Sequence, residues 1–175
     1  AISLYAFDVD DKKTSTLFID ATAAATRLPE PLRVKLRQLN VRNLWPKTLS
    51  ERVRGAEDTP ANWPGSIHPV LYRHPRTQEE VLFVNANHTE CIEGVSREES
   101  EGLIKLLFEY IYNEDFLIEH SWTGGDFLIW DNLALQHARA EIPAGIKRSL
   151  RRVEIGSLSY EDQMTPELKK LYKAT

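Results

Sequence analysis

At 175 residues, with 42% hydrophobic and 27% charged side chains, the chain is long enough for one domain with a real core and has the composition of a soluble globular protein. Its net charge of -4 gives no electrostatic footing for a nucleic-acid partner, and no apolar run reaches the roughly 18 residues that a membrane span needs, so neither is expected as a partner. The single cysteine, Cys91, excludes an intramolecular disulfide and suits a reducing, cytoplasmic compartment, and no signal peptide is visible.

Residues 2–9 are rich in β-formers and predict a strand, followed by the polar turn Asp10-Asp11-Lys12-Lys13 and a short strand over 16–19. Residues 21–28 are alanine-rich and predict a helix with Asp20 as its N-cap and Pro29 as its stop. Pro31 suits the first turn of a second helix reaching about Leu39, and residues 41–44 read as a strand. Residues 46–66 carry Pro46, Pro60, Pro64, Gly55 and Gly65 and read as a long loop, a lid or a disordered segment, bounded by Trp45 and Trp63. Residues 68–74 and 80–85 suggest a hairpin around Pro75-Arg76-Thr77-Gln78.

Ser96-Arg97-Glu98-Glu99 is a capping box, and Leu103, Ile104, Leu106, Leu107, Tyr110 and Ile111 then recur at helical spacing. Strands are expected over 116–122 and 126–130, around a turn at Gly124-Gly125. Residues 136–141 and 147–155 are expected to pair across Pro143-Ala144-Gly145, and a short helix is expected after Pro166. The total is mostly β with some α, and the late strands have the short, even spacing of a barrel or jelly roll. The first residues already read as strand, so the chain looks like the continuation of something longer. One domain over 1–175, incomplete at its N-terminus, is the expected organisation.

The chemistry concentrates in Trp130-Asp131-Asn132-Leu133-Ala134-Leu135-Gln136-His137, followed by Arg148 and Arg152. A neutral imidazole is a good ligand for divalent iron, and non-heme oxygenases hold iron with two His and one carboxylate while leaving positions open. A 2-oxoacid that chelates such an iron needs an Arg for its far carboxylate, because the guanidinium fork matches it in geometry and charge. Residues 148, 150 and 152 share one face of a strand, so Arg148 and Arg152 would point the same way. Two cations on one face suit a bound anion. On spacing alone the plainer reading is a solvated basic edge, since Lys147, Arg148, Arg151 and Arg152 cluster.

The segments HPVLYRHP (68–75), LFVNANHT (82–89), GDFLIWDNLALQH (125–137) and RSLRRVEI (148–155), with Thr16-Leu17-Phe18 near the start, resemble the taurine dioxygenase family of Fe(II)- and 2-oxoglutarate-dependent oxygenases. The resemblance covers most of residues 1–155. It implies a double-stranded β-helix (jelly roll) of the clavaminate synthase-like type, and an enzyme that uses Fe(II), 2-oxoglutarate and O2 to oxidise, most often hydroxylate, a small-molecule substrate. It implies His137 as an iron ligand, and Arg148 and Thr16 as the contacts to the far carboxylate of 2-oxoglutarate. Arg152 matches the Arg that binds the anionic end of substrate in sulfonate-using members, which is consistent with an acidic substrate. Asn85 and His88 match positions near the substrate pocket, and Trp130 is either core packing or a pocket wall. Family members are often homo-oligomers, dimers or larger.

The family's His-x-Asp, which supplies the other two iron ligands, would fall before Ala1. One local substitute is present, His88-Thr89-Glu90, which would make a triad of His88, Glu90 and His137. A non-catalytic jelly-roll module that holds an anionic ligand between its arginines is the alternative to an enzyme, and an interaction domain using the helix face at 103–111 is another.

Overall fold

The computed structural model describes residues 1–45, 63–156 and 166. The lid expected over 46–66 falls outside the described residues up to position 62, as does the helix expected beyond Pro166. The described chain forms two compact units. The first comprises Ala1–Leu28, Arg73–Leu82 and Glu109–Ile155, and the second Pro29–Tyr72, Phe83–Phe108 and Gly156–Thr175. Among the described residues, no helix is long and apolar enough to cross a membrane.

The first unit is built on two three-stranded antiparallel sheets. In one, β1 (Ile2–Val9) lies between β11 (Arg148–Glu154) and β9 (Phe127–Trp130). In the other, β2 (Ser15–Asp20) lies between β10 (Leu135–Arg139) and β8 (Leu117–Ser121). Alternation along each strand sends Ile2, Leu4, Leu128 and Trp130 to one side of the first sheet, where they meet Phe18 and Leu135 of the second. The rings of Phe18 and Trp130 meet edge to face at 5.1 Å, an arrangement worth about 0.5–1.5 kcal/mol beyond its buried area. The opposite side of the first sheet is open, and Tyr5, Phe7, Phe127, Ile129 and Val153 are all exposed there.

Asp20 ends β2 and caps α1 (Ala21–Arg27), accepting the amides of Thr22 and Ala23 at 2.9 Å each. The helix buries Ala21, Ala24 and Ala25, whose small side chains let it pack closely on β6 (Glu80–Leu82). β6 closes a short hairpin with β5 (Leu71–Arg73). The β8–β9 turn needs Gly125, which sits at φ +90.

In the second unit, β3 (Asn40–Leu44) lies between β4 (Gly65–Pro69) and β7 (Thr89–Glu93). Two helices accompany this sheet. α2 (Glu30–Leu36) opens with Pro in its first turn, as expected, and stops before the expected Leu39. Ser96 caps the helix as read, its hydroxyl accepting the Glu99 amide at 3.2 Å, while the Glu99 carboxylate pairs with Lys35; α3 (Arg97–Ile111) follows, with Leu103, Ile104, Leu107 and Ile111 buried. Ser100 ties the helix to β7 by accepting the Ile92 amide at 2.8 Å.

The expected pairing of 136–141 with 147–155 does not occur. β10 bonds to β2 and β11 to β1, so the turn at 143–145 carries the chain from one sheet to the other. Strands adjacent in sequence but placed in opposite sheets are the signature of jelly-roll topology. The expected 68–85 hairpin is also divided: 65–69 pairs with β3, and only 71–73 pairs with 80–82.

Candidate functional site

Thr16 is buried in β2, and its hydroxyl oxygen accepts two hydrogen bonds, from Trp122 Nε1 at 2.9 Å and Arg148 Nη2 at 3.0 Å. A hydroxyl has two lone pairs and one proton. Both acceptor positions are therefore filled, and the Thr16 O–H is left to donate. Arg148 reaches this position from β11. Its Nε is buried and, among the described residues, has no hydrogen-bond partner. Burial, and then the charge of Arg139, depress the Arg148 pKa below its ordinary value. A half-buried guanidinium with a buried, unused Nε–H, beside a hydroxyl set to donate, is a receptor for a carboxylate.

β10 presents His137 opposite Phe18, two residues along β2 from Thr16. Thr16 itself pairs with Arg139, so Thr16 and His137 are diagonal neighbours on one sheet face, a spacing of roughly 7–8 Å between residues and somewhat less between β-carbons. The Trp130 ring meets the imidazole edge-on at 5.0 Å. His137 is an exposed residue, yet partial burial of its ring, and then the positive charge of Arg152, lower its pKa. At neutral pH the imidazole is therefore uncharged, the form that ligates metal.

Trp130 is almost fully buried in the cluster with Ile2 and Phe18, so core packing is its evident structural role, with one edge against His137. Arg152 shares its strand face with Arg148 and Leu150. It is half-exposed and donates to Glu154, so its charge is already partly compensated.

Asn85 and His88 belong to the second unit, where they line a cavity of about 360 Å3 with Trp45, His68, Phe83 and Ser66. The Asn85 carboxamide oxygen accepts the amides of Asn87 and His88 at 3.1 and 2.8 Å, and so shapes the turn that carries His88. His88 Nδ1 lies 3.2 Å from the Leu44 carbonyl, which assigns the ring proton to Nδ1 because a carbonyl only accepts. His68 lines this cavity from β4, with its ring 5.0 Å from Phe83. The volume lies at the lower end of the range typical of small-molecule sites.

Among the described residues, no three His, Cys, Asp or Glu side chains are grouped to hold a metal ion. Of the His88/Glu90/His137 substitute, His88 and Glu90 belong to the second unit and His137 to the first. Trp122 is the partner that sequence reasoning missed. Nothing local marks it, because the Thr16 hydroxyl it serves is 106 residues away.

The facing antiparallel sheets, joined by a connection that crosses between them, define a double-stranded β-helix. Residues 2–153 match the model of the taurine catabolism dioxygenase TauD, TfdA family, and the chain belongs to that family. It is 32% identical over 145 residues to the alpha-ketoglutarate-dependent 2,4-dichlorophenoxyacetate dioxygenase of Cupriavidus pinatubonensis, covering 78% of this chain and 48% of that protein. It is 26% identical over 150 residues to pentalenolactone F synthase of Streptomyces arenae, covering 79% and 50%. A taurine dioxygenase structure from Burkholderia xenovorans superposes with a TM-score of 0.73 at 25% identity, covering 86% of this chain and 51% of that one. The chain thus spans about half the length of these relatives.

Proposed function

We propose that the intact protein is an Fe(II)- and 2-oxoglutarate-dependent dioxygenase that oxidises, most often by hydroxylation, a small organic substrate. The observation that carries this reading is the buried, unpartnered Arg148 Nε beside a Thr16 hydroxyl left to donate. In this reading Arg148 and Thr16 hold the far carboxylate of 2-oxoglutarate. His137 would supply one nitrogen to the iron, and the His-x-Asp characteristic of the family would supply the remaining two ligands. Iron with 2-oxoglutarate supplies O2 activation, coupled to decarboxylation of the oxoacid to succinate and CO2.

The chain's own residues bind and orient. Arg148 fixes the oxoacid by charge and fork geometry, and Thr16 adds a hydrogen bond to the same carboxylate. Trp130 braces the His137 ring, while Arg152, Asn85 and His88 serve as substrate contacts. The reading extends to a cytoplasmic homo-oligomer, a dimer or larger, consistent with the lone Cys91 thiol.

The test is anaerobic titration of Fe(II) and 2-oxoglutarate into the intact protein, read at the visible charge-transfer band of the chelate. A band that demands at least 10-fold more 2-oxoglutarate in Arg148→Ala supports the reading, since a charged hydrogen bond is worth about 1.5–3 kcal/mol. Unchanged oxoacid affinity in that variant sinks it. Anion binding that is indifferent to chelator, with no band, supports the non-catalytic binding module instead.

A further inference from the structure

His74 is the least exposed of the titratable groups that the proposed chemistry leaves unused, with its side chain 4% exposed. Its Nδ1 faces two backbone amides of its own turn, Arg76 N at 3.2 Å and Thr77 N at 3.1 Å. Amides only donate, so Nδ1 is the acceptor and the ring proton resides on Nε2. That proton points at Asp131 Oδ2, 3.1 Å away. The turn is closed by its own backbone, His74 N to Glu79 O and Gln78 N to His74 O, both at 2.8 Å, so the ring is held rigidly.

Asp131 is where this turn grips the rest of the unit. Its Oδ1 accepts the Leu133 amide at 3.0 Å, and its carbonyl accepts the Leu135 amide at 3.0 Å. Ala134 O accepts Ala21 N at 2.9 Å. These bonds fix the bend from which β10 starts, two residues before His137. On the other side of Asp131 stands Trp130, whose ring meets the His137 imidazole. Both supports of His137, its strand and its ring neighbour, therefore leave from Asp131. Arg76 also reaches Asp131, but its side chain is 75% exposed and contributes little. The buried His74 is the anchor.

We infer that His74 is a positioning residue: through Asp131 it sets the orientation of His137. As an aid to metal binding this rests on the function proposed above, whereas the positioning itself does not.

The conservative variants separate the two nitrogens. Asn at 74 can keep an acceptor near Nδ1 for the Arg76 and Thr77 amides, but loses the donor to Asp131. Gln can place an amide N–H near Nε2 and restore it. In the intact protein, His74→Asn is expected to weaken Fe(II) binding about 10-fold, the low end of what loss of an outer-shell partner costs, with most of it recovered in His74→Gln. The metal-free readout is the NMR shift of the His137 ring protons, which the Trp130 ring current sets. That shift should move in His74→Asn and stay near wild type in His74→Gln.

Should His74→Asn fail to fold, Asp131→Asn is the substitute, since it sets an amide against the His74 N–H while leaving an oxygen for Leu133. Wild-type metal affinity with an unmoved His137 signal overturns the inference, and so does equal loss in the Asn and Gln variants. A moved His137 signal in a protein whose wild type shows no chelate band leaves the positioning standing and rejects the oxygenase reading.

Discussion

Thr16→Val replaces a hydroxyl by a methyl of nearly the same volume, so its effects isolate the two hydrogen bonds that Thr16 Oγ1 accepts. Trp122 is fully buried, and its Nε1–H would lose its acceptor, Thr16 Oγ1. A buried donor left unsatisfied costs about 1–3 kcal/mol. Arg148 Nη2 would lose its partner too, on a guanidinium whose Nε has none among the described residues, so the sum is about 2–6 kcal/mol. The assay is equilibrium denaturation of the intact protein with and without saturating 2-oxoglutarate. At 100 times its dissociation constant a ligand adds about 2.7 kcal/mol to the folded state, so the oxoacid should stabilise wild type measurably and the variant less. Thr16→Ser keeps the hydroxyl and should recover most of both effects. A Val variant as stable as wild type would show that these bonds do not hold the unit together. A Val variant that loses stability but keeps full 2-oxoglutarate affinity would refute the carboxylate contact.

Other outcomes follow from the same geometry. Burial works against the Asp131 carboxylate, and the Leu133 amide, His74 and Arg76 outweigh it, so its pKa lies below the usual value. The stability this confers is complete above the ordinary aspartate value of 3.8 and is lost as pH falls through the lowered one; acid titration of Asp131→Asn should therefore show a flatter limb below about pH 4. Gly65→Ala should cost about 1–3 kcal/mol in chemical denaturation, because a β-carbon there would collide with the Asn43 carbonyl oxygen and meet the Leu44 side chain at 2.7 Å, forcing the β3–β4 ladder apart. Trp130→Ala should cost about 3–5 kcal/mol, with Trp130→Phe far milder, by the same measurement.

Local chemistry made part of the fold legible. Asp20 and Ser96 announce helices because a cap acts within three residues, and the apolar faces of α1 and α3 repeat at helical spacing. The period of two correctly grouped Arg148 with Arg152. What that period cannot say is which strand lies alongside. Pro143-Ala144-Gly145 reads as a reversal, and the chain does reverse, but into the opposite sheet. The same limit governed the site. The motif residues His137, Arg148 and Thr16 were visible as a pattern, whereas Trp122 and His74 act through partners 106 and 57 positions away. His68 and His74 looked alike in sequence, each followed by proline. One lines a cavity and the other holds an aspartate.

The open side of the β11-β1-β9 sheet has a practical consequence. Tyr5, Phe7, Phe127 and Ile129 form an exposed greasy surface on the two neighbouring strands β1 and β9, with Arg151 leaning over Phe7. Surfaces of this kind drive self-association when left in water. A preparation of these 175 residues alone will need low concentration, a solubilising fusion or polar substitutions at Phe127 and Ile129 before its titrations report on single molecules rather than on aggregates.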